Sequence, residues 1–149
     1  MGLFKKSQPI ENWEKDLKDL VSSDPDQFIE MSKYDDKSCI VKMRGDYEVW
    51  VTYSGKDLYF IVGLSNIGRM AESFGISVEE AYREMTDNVK SCSLGIDGKD
   101  NLKFSTVLFG RKYSPEALRN IMYRWVFQIV DYNNAVGTMI EKYKGDEMP

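Results

Sequence analysis

The chain has 149 residues, with 20 Lys and Arg against 24 Asp and Glu, a net charge of −4, no His and two Cys. Its length and its 42% content of hydrophobic residues are those of a single soluble domain, which we predict to span residues 1–149 with order from about 10 to 143. The absence of His excludes Ser-His-Asp and Cys-His catalytic triads and most zinc sites, and the acidic balance argues against nucleic acid as a partner.

The sequence predicts a cytoplasmic protein without a membrane partner, a metal or a cofactor. No apolar run approaches the ~20 residues that a membrane-spanning helix needs, and the first residues lack the apolar core of a signal peptide. Cys39 and Cys92 are far apart and form no CxxC motif, which is typical of two inert thiols in a reducing compartment.

The N-terminal half predicts two helices followed by a three-stranded meander. Apolar residues at helical spacing predict a first helix over 10–22, and the pair Asp24-Pro25 predicts the start of a second helix that fades near Tyr34. Over 38–64 the hydrophobic period changes from 3.6 to 2, which indicates successive strands. The tight turns between these strands are predicted at Gly45-Asp46 and at Ser54-Gly55-Lys56-Asp57.

The C-terminal half predicts a loop, a helix and a second hairpin. Residues 63–68 match no phosphate-binding pattern and are interpreted as a loop. Ser77 opens a capping box and predicts the start of a middle helix. Two strands, over about 91–96 and 102–109, flank a turn at 97–101.

A long helix closes the chain. Ser114 is its predicted cap, Pro115 its first residue and Tyr143 its approximate end, with Gly137 as a candidate kink or early stop. Apolar residues at seven-residue intervals form a stripe along it. The predicted fold is therefore α+β, with an antiparallel sheet of about five strands, helices packed on the sheet and a long C-terminal helix.

The order of elements is helices, three strands, helix, two strands and long helix. This order, with the hairpin over 97–109 leading into 114–118, resembles the bacterial YbjN-type family, whose fold is similar to that of type III secretion chaperones. The resemblance covers about residues 10–143 as an architecture. It implies a small, non-enzymatic protein, often dimeric, with a regulatory or chaperone-like role, and it supplies no catalytic residue.

Two apolar surfaces are candidates for binding another protein chain or a second copy of this one. Strand alternation places apolar residues on both faces of the sheet, so the second face needs a cover, either from the chain's own N-terminal helices or from a partner. The stripe on the last helix is either core or an interface, and we hypothesise that it pairs with a second copy from Trp125 onward. The predicted partner-binding residues are Trp50, Tyr59, Ile61, Trp125, Tyr132 and Met139.

An alternative function is a small-ligand or anion-binding domain. Arg111 and Lys112 directly precede the long helix, whose N-terminal N–H groups favour phosphate or carboxylate. An enzyme is not predicted, because no pair of carboxylates is directed toward a common pocket by its spacing. The sequence favours a non-enzymatic, chaperone-like or regulatory-adaptor protein over this alternative.

Overall fold

The computed structural model describes residues 9–91 and 93–144. In these ranges the fold is α+β, as predicted, and the antiparallel sheet has six strands rather than five, in the order β1-β2-β3-β4-β6-β5. The strands are β1 (Phe28–Asp35), β2 (Ser38–Met43), β3 (Tyr47–Ser54), β4 (Asp57–Asn66), β5 (Gly95–Ile96) and β6 (Asn101–Leu108). The helices are α1 (Trp13–Ser23), α2 (Ile67–Phe74), α3 (Val78–Asn88) and α4 (Pro115–Lys144), with short 3-10 helices at Pro9–Asn12 and Gly110–Lys112.

The prediction of a helix starting at Asp24 is wrong, because this segment forms a turn and then an edge strand. The Asp24 carbonyl accepts the N–H groups of Gln27 and Phe28 at 3.3 and 3.0 Å, and β1 then pairs antiparallel with β2. Six residues of β1 pair with β2, and this pairing outweighs the local capping signal.

Both predicted turns of the meander are confirmed. Gly45 and Asp46 have φ angles of +89° and +67°, and Gly55 and Lys56 have φ angles of +58° and +74°. Two successive positive φ angles match the right-handed twist of the flanking strands, so these turns set the register of β2, β3 and β4.

The chain forms two compact units, the first of which comprises 9–62 and 105–123. Within it, α1 buries its apolar side, and the Trp13 ring lies 6.4 Å from that of Tyr53. The Tyr113 hydroxyl donates a 2.7 Å hydrogen bond to Asp16 on α1. One side of the meander is fully buried in this unit, through Cys39, Val41, Met43, Val49, Val51, Leu58, Phe60 and Val62.

The second unit comprises 63–104 and 124–144 and contains a helix that the sequence did not predict. Where a loop was expected over 63–68, β4 continues to Asn66 and α2 begins at Ile67. The Asn66 side chain accepts the Arg69 N–H at 3.0 Å, and Gly75, with φ of +71°, ends the helix. These two residues are ordinary start and stop signals. The Ser77 cap of α3 is confirmed by its 3.1 Å bond from the Glu80 N–H.

The second hairpin and the closing helix lie where the sequence predicts them, but the first strand of the hairpin is much shorter than expected. The first strand of the hairpin shortens to Gly95–Ile96, while β6 and the turn lie where expected. Helix α4 passes through Gly137 and is 30 residues long, so the early stop does not occur. Strands β4 and β6 and helix α4 each contribute residues to both units. The single domain over residues 1–149 stays a prediction.

Candidate functional site

One face of the meander carries apolar side chains that are partly or largely exposed within residues 9–91 and 93–144. Trp50 alternates on β3 with the fully buried Val49 and Val51, so its ring lies on the opposite side of the sheet. Tyr59 and Ile61 alternate in the same way on β4 and are 42% and 41% exposed. We call this side, with Tyr34 and Ile40, the open face.

The apolar residues of the open face form a continuous row across the strands. Ile40 pairs with Trp50, and Trp50 pairs with Ile61, in direct cross-strand register. The ring of Tyr34, which is 63% exposed, meets the Trp50 ring edge-on at 4.9 Å. Neighbouring cross-strand pairs of this kind stabilise a sheet.

Two polar rows border this apolar row. On one side, strand register places Glu30, Lys42 and Glu48 side by side, and Lys42 also lies 3.6 Å from Asp46. Carboxylates therefore outnumber the single ammonium group, and this border is acidic.

On the other side of the apolar row, the border is made of hydroxyl groups. The Ser38 and Thr52 hydroxyls are 3.0 Å apart, and Thr52 pairs with Tyr59. The open face is thus an apolar row between an acidic border and a neutral, hydrogen-bonding one.

The other half of the predicted partner-binding set lies in the core, so these side chains are not exposed for the pairing with a second copy that was hypothesised from Trp125 onward. Trp125, Tyr132 and Met139 are almost fully buried. The Phe104 ring stacks on Trp125 at 6.4 Å and meets Tyr132 edge-on at 6.2 Å, and the Tyr132 hydroxyl accepts the Ser65 N–H at 3.2 Å. These partners come from β4 and β6, so the stripe faces its own unit.

Helix α4 instead exposes a small apolar patch that the stripe did not indicate. Phe127 and Val130 are 73% and 54% exposed and stand three residues apart, on one side of the helix. Two side chains make a much smaller surface than the open face.

Only one residue of the predicted anion-binding pair, Arg111, lines a depression in the described residues. The guanidinium carbon of Arg111 lies 5.6 Å from the centre of the Phe109 ring, whereas Lys112 is exposed and does not line the depression. The second cation of the depression is Lys56, in the β3–β4 turn. The Ser114 hydroxyl accepts the Ala117 N–H at 2.9 Å, so the α4 N-terminus is capped by its own chain.

The buried titratable groups of the first unit are held in their protonated forms. Burial, with a smaller contribution from Glu14, raises the pKa of the Cys39 thiol to about 11, as expected of an inert thiol. Burial and the bond to Asp16 raise the pKa of Tyr113. Cys92 lies outside the described residues.

Comparisons with protein-family models, curated proteins and solved structures found no match to this chain. Within 9–91 and 93–144, no helix is long and apolar enough to span a membrane. In the same ranges, no three Cys, Asp or Glu side chains are grouped to hold a metal ion.

Proposed function

We propose that this protein is a non-enzymatic, cytoplasmic protein-binding module of the chaperone-like or regulatory-adaptor type. Its open face binds an amphipathic helix of another polypeptide. The observation that carries this proposal is the apolar row of Ile40, Trp50 and Ile61, in which Ile40 and Trp50 are partly buried and Ile61 is exposed. The exposed Tyr34 and Tyr59 extend this row. A sheet with an apolar face needs a second layer, and a helix is one of the few elements that supply it.

The area of the open face fits one helix better than a second copy of this chain. Tyr34, Tyr59 and Ile61 together expose about 300 Å², taking roughly 200 Å² for a whole large side chain. Stable protein–protein interfaces bury about 800 Å² on each partner. The apolar part of the face supplies less than half of that area, so it favours a narrow occupant, such as the apolar stripe of a single helix, over an extended interface with a second copy.

The charge of the border favours a basic partner. Glu30 and Glu48 flank Lys42 beside the apolar row, and the whole chain carries a net charge of −4. Self-association would bring two acidic chains together, whereas a helix with Lys or Arg beside its apolar stripe is attracted to this border. The occupant is therefore an apolar helix with basic flanks.

Two synthetic peptides test this assignment. Each is an amphipathic helix of about 18 residues with the same Leu stripe, flanked in one peptide by Lys and in the other by Glu. Fluorescence anisotropy of the labelled peptides measures binding to the wild-type chain, to Ile61→Lys and to the matched control Val130→Lys. Both substitutions place a charge at a partly exposed aliphatic residue, and only the first is on the open face.

The Lys-flanked peptide should bind saturably, and Ile61→Lys should weaken binding by about tenfold or more, because it buries a charge in the interface. Val130→Lys should leave it unchanged. The Glu-flanked peptide should bind more weakly, with the difference shrinking as salt increases.

Equal binding by both variants, or no saturable binding, would overturn the assignment. Sedimentation equilibrium adds a separate outcome: a wild-type dimer that Ile61→Lys dissociates would show that the face binds a second copy instead.

A further inference from the structure

The depression beside Arg111 is formed by two loops of the first unit. Residues 55–57 of the β3–β4 turn make one wall and residues 109–111 make the other, with Ile10 also in the lining. Its volume is about 410 Å³, within the range of pockets that hold small molecules. It is separate from the open face, so its role does not depend on the function proposed above.

The two walls are held together by contacts that require particular residues. The Gly110 N–H donates a 2.9 Å hydrogen bond to the Asp57 carboxylate. A Cβ atom at Gly110 would stand 2.2 Å from the Lys56 carbonyl oxygen, so only glycine permits this approach of one backbone to the other. The shape of the depression is thus set by the backbone.

The charged groups of the depression leave two cations available to a ligand. Within the described residues, neither Lys56 nor Arg111 has a carboxylate oxygen within 4 Å of its side-chain nitrogens. The carboxylate of Asp57, the one acidic group in the lining, already accepts the Gly110 N–H. The Phe109 ring orients the Arg111 guanidinium from one side.

We propose that this depression binds a small organic carboxylate with an apolar body. The Arg111 guanidinium holds the carboxylate through two parallel N–H bonds, and the Lys56 ammonium adds a second charge. The half-exposed Phe109 ring contacts the apolar body, while the buried Ile10 supports the floor of the depression. Inorganic phosphate would satisfy the cations but would leave this apolar lining wet, so an organic acid fits better.

The test uses the whole chain and three probes: 4-phenylbutyrate, the neutral 4-phenylbutan-1-ol and inorganic phosphate. Two-dimensional ¹H–¹⁵N NMR titrations give the affinity and show which amides respond. The variant is Arg111→Gln, and the matched control is Arg119→Gln. Arg119 is also exposed and lies 5.5 Å from the Tyr123 ring, but it is on α4, outside the depression.

4-Phenylbutyrate should bind saturably and shift the amides of Gly55, Lys56 and Gly110. Arg111→Gln should weaken its binding about tenfold or more, because a charged hydrogen-bonding partner is lost. Arg119→Gln should have no effect. The alcohol should bind at least about tenfold more weakly than the acid, and phosphate likewise.

Three results would overturn the proposal: shifts confined to other residues or absent altogether, equal affinity of wild-type and Arg111→Gln chains, or phosphate binding as tightly as 4-phenylbutyrate. The variant Ile61→Lys should bind 4-phenylbutyrate normally, so failure at the open face and failure at this depression are distinguishable.

Discussion

Replacing Gly110 by alanine should destabilise the protein through one backbone contact. The added Cβ would lie 2.2 Å from the Lys56 carbonyl oxygen and 3.6 Å from Ile10 Cδ1, so the two loops must separate by about 1 Å to reach ordinary contact. Separation stretches the Gly110 N–H bond to Asp57, which is 2.9 Å long. Overpacking costs about 1–3 kcal/mol, and a hydrogen bond to a charged group contributes about 1.5–3 kcal/mol. Because this bond is stretched rather than broken, only part of its contribution is lost, and the combined loss should be roughly 2–4 kcal/mol.

Urea unfolding measures this loss directly, and differential scanning calorimetry should show a fall in Tm of about 5–15 °C for a chain of this size. Gly98→Ala is the control, because a Cβ at Gly98 meets no atom within 4 Å. A Gly110→Ala chain as stable as the Gly98→Ala chain would refute the reasoning. It would mean that the contact between the two loops is loose enough to admit a methyl group.

Three further changes test other parts of the structure. Gly137→Ala should raise the free energy of unfolding, measured by urea titration, by about 1 kcal/mol. Gly137 is an exposed position inside α4, and no atom lies within 4 Å of an added Cβ. A decrease in the free energy of unfolding would contradict this prediction. Gln128→Met should raise the free energy of unfolding by roughly 1 kcal/mol, because the buried Gln128 Oε1 has no hydrogen-bond partner in the described residues. A loss of stability would contradict this prediction and would indicate that this oxygen has a partner. The pKa of Glu84 is lowered by hydrogen bonds from Lys142 and Tyr143, so its stabilising effect is present above the ordinary carboxyl value of 4.5 and is lost as the pH falls below it. Thermal melts from pH 6 to pH 3 should therefore show a smaller acid-induced fall in Tm for Glu84→Gln than for the wild-type chain, and parallel curves would refute the assignment.

Local signals were sufficient for much of the fold. The closing helix was predicted from Ser114 and Pro115, and α3 from Ser77, because a capping residue and a following apolar period act over one or two turns. The turn at Gly55 and Lys56 was predicted for the same reason, since a tight hairpin depends on its own two residues. The prediction of a helix after Asp24 was wrong, because this segment forms a strand through pairing with β2, which the local sequence does not show.

The candidate functional surfaces were also predicted in part from local sequence patterns, and the rest depends on tertiary contacts. Sequence alternation correctly placed Trp50 and Ile61 on the side of the strands opposite the buried one. By the same criteria Trp125 on α4 was an equal candidate for an exposed surface, and only the arrival of Phe104 from β6 showed that it is core. The placement of Lys56 and Arg111 in the lining of one depression was likewise not predictable, because they lie in separate loops that meet where the Lys56 backbone approaches Gly110. Periodicity states which side of an element a residue occupies, whereas the neighbours that cover that side come from distant parts of the chain and are known only once it has folded.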